Sequence, residues 1–527
     1  MNPIIDGTNF IKCAQTICAG MAENMAKFKA AAIFSNHMVL QRHKNIKVFG
    51  QGENGDIVTI HFLNEEYTAR VNQERWMCII PAQEAGTGYE MVITCGEEVL
   101  KFQNIAIGEV WLAGGQSNME WDLINCKGGE EMLHHDINPK VRFYHTPKYA
   151  YMDDHFHESE ENSEWMEFSE ESARNWSAVG YIFGKKLASD LNVTVGIIGC
   201  NWGGTSASCW VSEETLSRDQ DLKIYLEEYH KEIEGKTEEE QISDYKEYEA
   251  YSAVWDEKCR QLYKENHQIT WEEVLKQCGE CKYPGPKGVL NPLRPSGLYH
   301  CMLERNMPYT LKGFLYYQGE SDVHRPQMYQ KLLTALIHEW REGWEDHLLP
   351  FLFVQLPMHR YQADPDDKNW CLIREAQMRT YQTVKNTGMA VILDCGEFNE
   401  IHPKDKLPVG ERLELQALHH VYGMLKEEEA FGPIYKDYHY KDEGIELRFS
   451  YAKEGFTVKG EAGGFEIAGE DMEFVDAQIE IRGQKILLYS PELKHPRYAR
   501  YCWTNYGDVT IFGKNGIPLA PFRTHRF

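Results

Sequence analysis

Gly108-Glu-Val-Trp-Leu-Ala-Gly-Gly-Gln-Ser-Asn-Met-Glu-Trp121 decides how this 527-residue chain is read. Val110, Trp111 and Leu112 are apolar with high strand propensity, so the stretch opens as a short strand. Gly114-Gly115 then tolerate backbone angles closed to other residues. Ser117 follows at once, and Asn118-Met119-Glu120-Trp121 begins a helix. A serine on a tight strand-to-helix turn exposes its hydroxyl and holds its amide near a helix N-terminus, as a nucleophile requires. A Gly-rich turn whose serine only caps the helix fits the same residues. The stretch alone does not separate the two.

Downstream, apolar strands alternate with amphipathic helices. Strands are expected at 193–199, 313–317, 351–355 and 389–394, and helices at 173–191, 327–344, 373–384 and 409–425. In the helix at 173–191, Val179, Ile182, Phe183 and Leu187 fall at helical spacing. This alternation predicts an α/β fold, a parallel sheet covered by helices on both faces. Residues 213–283 interrupt it. Leu222, Leu226, Tyr229 and Ile233 recur at helical spacing among dense Glu and Lys, which reads as a helical insertion with a solvated face.

On either side the texture is β. Short runs such as Asp56-Ile-Val-Thr-Ile-His-Phe62 and Tyr89-Glu-Met-Val-Ile-Thr94, separated by Gly-rich turns, predict a small N-terminal sandwich. Ile445-Glu-Leu-Arg-Phe449, residues 474–481 and Lys485-Ile-Leu-Leu-Tyr489 predict a second small sheet, and the tail at 518–523 is compatible with packing back onto another domain. The expected organisation is an N-terminal extension over 1–29, a β domain over 30–107, an α/β domain over 108–428 and a C-terminal β domain over 429–527.

Net charge is −26, which argues against nucleic acid or an anionic membrane as the main partner. No run is long and apolar enough for a membrane helix, and residues 1–29 lack the basic start and continuous apolar core of a secretory signal. The 14 cysteines form no regular framework, so reduced thiols in the cytoplasm are expected. Cys278-Gly-Glu-Cys281 has no second Cys-x-x-Cys to complete a zinc site, and neither metal nor cofactor is expected. The 13 Trp and 29 Tyr suit a well-packed β-sandwich and also a sugar-binding cleft.

In open α/β sheets the ligand site lies outside the strand carboxyl ends, and four loops qualify. The first carries Ser117. The second, Asn201-Trp-Gly-Gly-Thr-Ser206, offers backbone N–H groups to a developing oxyanion. The third, Tyr316-Tyr-Gln-Gly-Glu-Ser-Asp322, offers the amide of Gln318 and the carboxylates of Glu320 and Asp322, which are read as holding the loop rather than acting in chemistry. The fourth, residues 394–403, offers His402 with Glu400 two positions earlier, a base and an acid of the kinds that serine acyl transfer needs.

The motifs Gly-Gly-Gln-Ser-Asn-Met-Glu-Trp at 114–121, Trp-Gly-Gly-Thr at 202–205, Tyr-Gln-Gly-Glu-Ser-Asp at 317–322 and Ile-His-Pro at 401–403 together resemble the sialate O-acetylesterase family of SGNH hydrolases. Flanking segments at 34–42, 294–299, 374–377 and 521–524 agree. The resemblance spans nearly the whole chain except the first 29 residues and much of the insertion. It implies a flavodoxin-like three-layer αβα core, Ser117 as nucleophile and His402 as general base. It also implies an oxyanion hole made of the Ser117 N–H, the Gly204 N–H and the Gln318 side chain. The family's acid before the histidine is generally Asp, whereas Asn399-Glu400 stand here. Glu400 is taken as the orienting acid, with Asp394 or a Ser-His dyad as alternatives.

The expected activity is hydrolysis of O-acetyl esters of sugars, foremost O-acetylated sialic acid. Acetyl-xylan or another hemicellulose fragment is the alternative substrate. A non-catalytic carbohydrate-binding protein is a rival of another class, and an interaction module built on the insertion is a weaker one. Arg294 and Arg374 either pair with Glu320 and Asp322 or face a substrate carboxylate, and Trp121, Trp202 and Trp210 either line a sugar cleft or pack the core.

Overall fold

Strand β1 (Glu98–Gly115) joins two sheets. Its side chains alternate in exposure as far as Asn104 and are continuously buried from Ile105 onward, the mark of a strand that passes from a one-sided to a two-sided sheet. The first half pairs antiparallel with the strand Gly86–Cys95. The second half lies at the centre of a parallel sheet. The expected domain boundary at 107/108 therefore falls inside one strand. A turn is absent there because the residues run from Asn104 to Leu112 without a break in strand pattern.

The computed structural model describes residues 28–137, 140–266, 269–442 and 444–525. The expected N-terminal extension lies outside them except for Phe28, which is buried, and Lys29, which pairs with Gln51 as part of a short strand.

The remaining strands of the central sheet are β2 (Val141–His145), β3 (Trp165–Glu167), β4 (Val195–Asn201), β5 (Gly313–Tyr317), β6 (Phe351–Gln355) and β7 (Thr387–Val391). Their order is β3-β2-β4-β1-β5-β6-β7. All are parallel except β3, which runs antiparallel to β2. Every residue of β4, β5, β6 and β7 is buried, as a sheet covered on both faces requires.

Helices supply that cover. Short α1 (Ser117–Glu120) follows β1 directly. Helices α2 (Ala178–Leu191), α3 (Glu238–Glu265), α4 (Trp271–Cys278), α5 (Pro326–Gly343), α6 (Asn369–Thr383) and α7 (Leu407–His420) follow in turn, α3 and α4 belonging to the insertion and the others to the cover. Alternate residues of a strand face opposite sides, and β1 shows both. Trp111 meets Phe183 of α2 edge-on with ring centres 5.2 Å apart. Gly114, three residues on, faces Trp340 of α5 so closely that a Cβ would lie 2.6 Å from its ring. Helix α7 packs on α2 through Gly410, where a Cβ would meet Ile182 at 2.6 Å, and α6 packs on α5. The result is a three-layer αβα core. Helix α2 starts at Ala178 rather than 173 because Ser177 caps it, its Oγ accepting from the Gly180 N–H at 3.0 Å.

The insertion is helical. Thr237 and Thr270 form capping boxes with Glu240 and Glu273 at the starts of α3 and α4. These two helices pack through a small apolar cluster of their own, Cys259, Val274 and Cys278 with Trp255, Leu262 and Ile269. The C-terminal region forms two four-stranded antiparallel sheets and a two-stranded one. Its tail returns to the α/β core, where Arg523 makes a two-pronged bond to Glu375 of α6 at 3.0 and 2.9 Å. Among the described residues no helix is long and apolar enough to cross a membrane.

Candidate active site

Register places the first three loops side by side. Gly115, at the end of β1, is paired with Asn201 of β4 on one side and Tyr317 of β5 on the other. The loops carrying Ser117, Gly203-Gly204 and Gln318 thus leave the sheet at one level. Gly115 has φ +137°, and a Cβ there would lie 2.2 Å from the Tyr317 carbonyl oxygen, so only glycine makes this turn. The Gln116 N–H donates to that same carbonyl at 3.1 Å, which fixes the entry into α1. Gly203 presses on the turn from the other side, its missing Cβ placed 3.2 Å from that of Ser117.

The fourth loop crosses above them. Asn399 turns it with φ +61°, and its N–H donates to the Arg360 carbonyl at 2.9 Å. His402 Nε2 then lies 2.8 Å from Ser117 Oγ. The imidazole stacks on Trp121, ring centres 5.3 Å apart. Burial holds its pKa below the usual histidine value; Glu400 opposes that shift, and the Lys406 ammonium adds to it.

Glu400 does not complete a hydrogen-bonded relay. Its Oε1 is 3.8 Å from His402 Nδ1 and instead accepts the His402 backbone N–H at 2.9 Å. The other acid considered, Asp394, is committed elsewhere. It binds Arg412 through both oxygens, at 2.5 and 2.9 Å. The chain forms a short 3₁₀ turn at Leu393–Cys395 where the strand was expected to continue, and that turn delivers Asp394 to α7 rather than to His402.

Two backbone amides remain for an oxyanion. Neither the Ser117 nor the Gly204 N–H donates to another group among the described residues. The Gly203 N–H is taken by Glu120 Oε2 at 2.6 Å. Gln318 departs from its expected place in the oxyanion hole. Its amide donates to Thr205 O at 3.1 Å and to Asp322 Oδ2 at 2.6 Å, and its Oε1 accepts from Tyr329 at 2.9 Å. Both amide hydrogens are spent, because the buried Asp322 carboxylate competes for them at close range.

Asp322 also accepts from Ser206 Oγ at 2.6 Å and from the Ala207 N–H at 2.9 Å, so it ties the third loop to the second. Glu320 accepts from Asn118 Nδ2 at 2.6 Å. Burial raises the pKa of both acids. Neither arginine pairs with them. Arg294 donates to the carbonyls of Val289 and Ala150, each at 3.0 Å. Arg374 is fully buried and bonds the Pro357 and Thr504 carbonyls, linking the core to the C-terminal region. Trp210 is core, its Nε1 donating to Thr205 Oγ1 at 3.0 Å. Trp121, which stacks on His402, and Trp202 are both partly exposed, and Trp202 has Lys148 6.0 Å from its ring centre.

Several residues at the site escape motif reading. Glu120 bonds Lys148 as well as the Gly203 amide. Tyr283, where the insertion ends, brings its hydroxyl against Gly204, whose missing Cβ would lie 2.3 Å from it. Lys406 is 1% exposed and donates to Asn118 Oδ1 at 2.5 Å. In the sequence Pro403-Lys-Asp-Lys-Leu-Pro408 it looks like any solvent-facing loop lysine; the one signal is its place directly before the apolar start of α7. Cys278, expected to be a coincidental partner of Cys281, faces Cys259 with sulfurs 3.4 Å apart, and the described residues hold no cluster of three metal-binding side chains.

Known carbohydrate esterases are similar to this chain in sequence and in fold. The family model for sialic acid-specific acetylesterases among the carbohydrate esterases matches residues 291–407, a span holding the third and fourth loops. The sialate O-acetylesterase of Rattus norvegicus is 24% identical, with 95% of each chain covered. That of Mus musculus is 25% identical over 443 residues, covering 75% of this chain and 74% of the mouse protein. Among solved structures, a carbohydrate acetylesterase from Xanthomonas citri aligns with a TM-score of 0.73 at 25% identity, covering 95% of this chain and 100% of that one.

Proposed function

We propose that this chain, which is similar to sialate O-acetylesterases over most of its length, is a serine esterase removing acetyl groups from O-acetylated sugars, foremost O-acetylated sialic acid. The observation that carries the serine mechanism is the 2.8 Å contact between His402 Nε2 and Ser117 Oγ, a nucleophile within reach of a base. The substrate class rests on the relatives, which are named as sialate O-acetylesterases and a carbohydrate acetylesterase.

Ser117 Oγ attacks the ester carbonyl as its proton passes to His402 Nε2. The tetrahedral oxyanion is received by the free N–H groups of Ser117 and Gly204; such donors act strongly because they are already oriented. The imidazolium then gives its proton to the departing sugar oxygen, leaving acetyl on Ser117. Water, deprotonated by His402, attacks the acetyl-enzyme and releases acetate. Glu400 lies 3.8 Å from Nδ1 and stabilises the imidazolium by charge without a hydrogen bond. The ring of Trp121 stacks on His402 and that of Tyr283 lies against Gly204, flat faces of the kind that pack on sugar rings.

Acetate release followed by proton NMR tests the substrate directly. O-acetylated sialic acid is expected to be deacetylated with higher kcat/KM than acetylated xylo-oligosaccharides. The reverse order would move the substrate to hemicellulose fragments, and release from neither would overturn the sugar assignment.

A further inference from the structure

The peptide group joining Ile401 to His402 is held at both ends. Its carbonyl accepts from Asn118 Nδ2 at 3.0 Å, and its N–H donates to Glu400 Oε1 at 2.9 Å. A peptide plane fixed at both ends sets the direction from which the next side chain leaves the backbone, here the imidazole that meets Ser117. One clamp comes from the histidine's own loop. The other comes from the residue directly after the nucleophile, so a single asparagine couples the positions of Ser117 and His402.

Asn118 acts this way only with its amide in one orientation, nitrogen toward Ile401 and oxygen away. Lys406 sets that orientation. Its ammonium donates to Asn118 Oδ1 at 2.5 Å, and Glu320 Oε1 accepts from Nδ2 at 2.6 Å. A flip of the amide would set NH₂ against the ammonium and oxygen against the carboxylate. Lysine is rarely buried without a counter-charge; here the counter-charge is Glu320, also buried, with Asn118 bridging the two. The ammonium lies 5.7 Å from the ring centres of both Trp121 and Tyr317, and Trp121 is the ring on which His402 stacks.

We propose that Lys406 is a positioning residue of the reaction, which locks Asn118 so that the His402 imidazole is aimed at Ser117 and which places a buried positive charge beside that imidazole. The inference rests on the Ser-His mechanism proposed above. The groups facing Lys406 are Glu320, Glu397 and the thiols of Cys126 and Cys395. Those facing His402 are Glu400, Lys406, His359 and Glu120. The Lys406 charge disfavours the imidazolium, so it favours the neutral base at lower pH. Burial lowers the pKa of Lys406 itself to about 8, so this influence fades as the medium becomes alkaline.

The test measures kcat, KM and the pH dependence of kcat/KM with an aryl acetate, for wild type, Lys406→Met, the double variant Lys406→Met/Glu320→Gln, and Ser117→Ala. The double variant removes both buried charges together and retains an acceptor for Asn118, so it reports even if an unpaired Glu320 unfolds the single variant. Expected are a fall in kcat of about tenfold or more with KM changed less than about twofold, and an acid limb of kcat/KM moved to higher pH. Far-UV circular dichroism at wild-type level shows that the fold persists. Wild-type kcat and an unmoved acid limb in a folded variant would overturn the role of Lys406, and so would a loss of kcat without any movement of the limb. Full activity in Ser117→Ala would instead overturn the underlying mechanism, which keeps the two failures distinct.

Discussion

Ser117 Oγ and His402 Nε2 stand 2.8 Å apart although 285 positions of sequence separate them. They meet because β1 and β7 end at the same edge of one parallel sheet, and because the loop after β7 turns at Asn399 and is held by Asn118 at the Ile401 carbonyl. The imidazole must be neutral to take the serine proton. Burial depresses its pKa, so the base is unprotonated, and activity present, above a point below the usual value of about 6.5. Activity is lost as pH falls through that point. A kcat/KM profile on an aryl acetate is expected to show its acid limb below about 6.5; a limb clearly above it would mean that the imidazolium is stabilised rather than disfavoured.

Glu400 offers a second test. Glu400→Gln keeps an acceptor for the His402 N–H but removes the charge 3.8 Å from Nδ1. With no hydrogen bond to Nδ1 to lose, kcat is expected to fall on the order of tenfold, far short of the roughly 10⁴-fold seen where a buried acid holds the tautomer. The acid limb moves to lower pH, since the lost charge favoured the imidazolium. Steady-state kinetics beside His402→Ala checks both statements, and an equal loss in the two variants would contradict them.

Gly203 is required by contact and not by backbone angle. In Gly203→Ala the new methyl lies 3.2 Å from Ser117 Cβ and 3.4 Å from Glu120 Oε2, so the serine or the second loop must shift. A displacement of well under 1 Å at a reacting atom is expected to lower kcat on the order of tenfold, short of the roughly 10²-fold that a full 1 Å costs, while thermal unfolding changes little. Near-wild-type kcat would show that the second loop is not held against the nucleophile.

Asp322 is predicted to matter for stability. It accepts from Ser206, Ala207 and Gln318 and is fully buried. Asparagine in its place turns one acceptor oxygen into a donor facing donors, and Asp322→Asn is expected to cost about 2 kcal/mol. Denaturant unfolding reads that loss. An unchanged midpoint would mean that the tie between the second and third loops contributes little.

What could be read from the residues and what could not divide along physical lines. Strands β5 and β6 were legible to the residue, because a short apolar run bounded by Lys312 and Gln318-Gly319, or by Pro350 and Pro357, has few alternatives. The approach of His402 to Ser117 followed from the family motifs. The partners of polar side chains did not follow. Gln318 carries the right amide for an oxyanion, but Asp322, four positions later, competes for it, and only the turn at Gly319, with φ +146°, brings the two together. Glu400 is two residues from His402 and meets its backbone before its ring. Lys406 is hidden by composition, since a lysine between aspartate and leucine in a proline-bounded loop reads as solvated. The expected boundary at 107/108 falls within a strand, because a change of partner within a strand leaves no turn residue to mark it.

The central claim, that Ser117 is the nucleophile served by His402, is tested most directly by treating the protein with a fluorophosphonate and mapping the labelled peptide. The account predicts covalent label on Ser117 with parallel loss of esterase activity, much slower labelling in His402→Ala and none at this position in Ser117→Ala. Label confined to another serine while activity is lost, or full activity with Ser117 completely labelled, would contradict it.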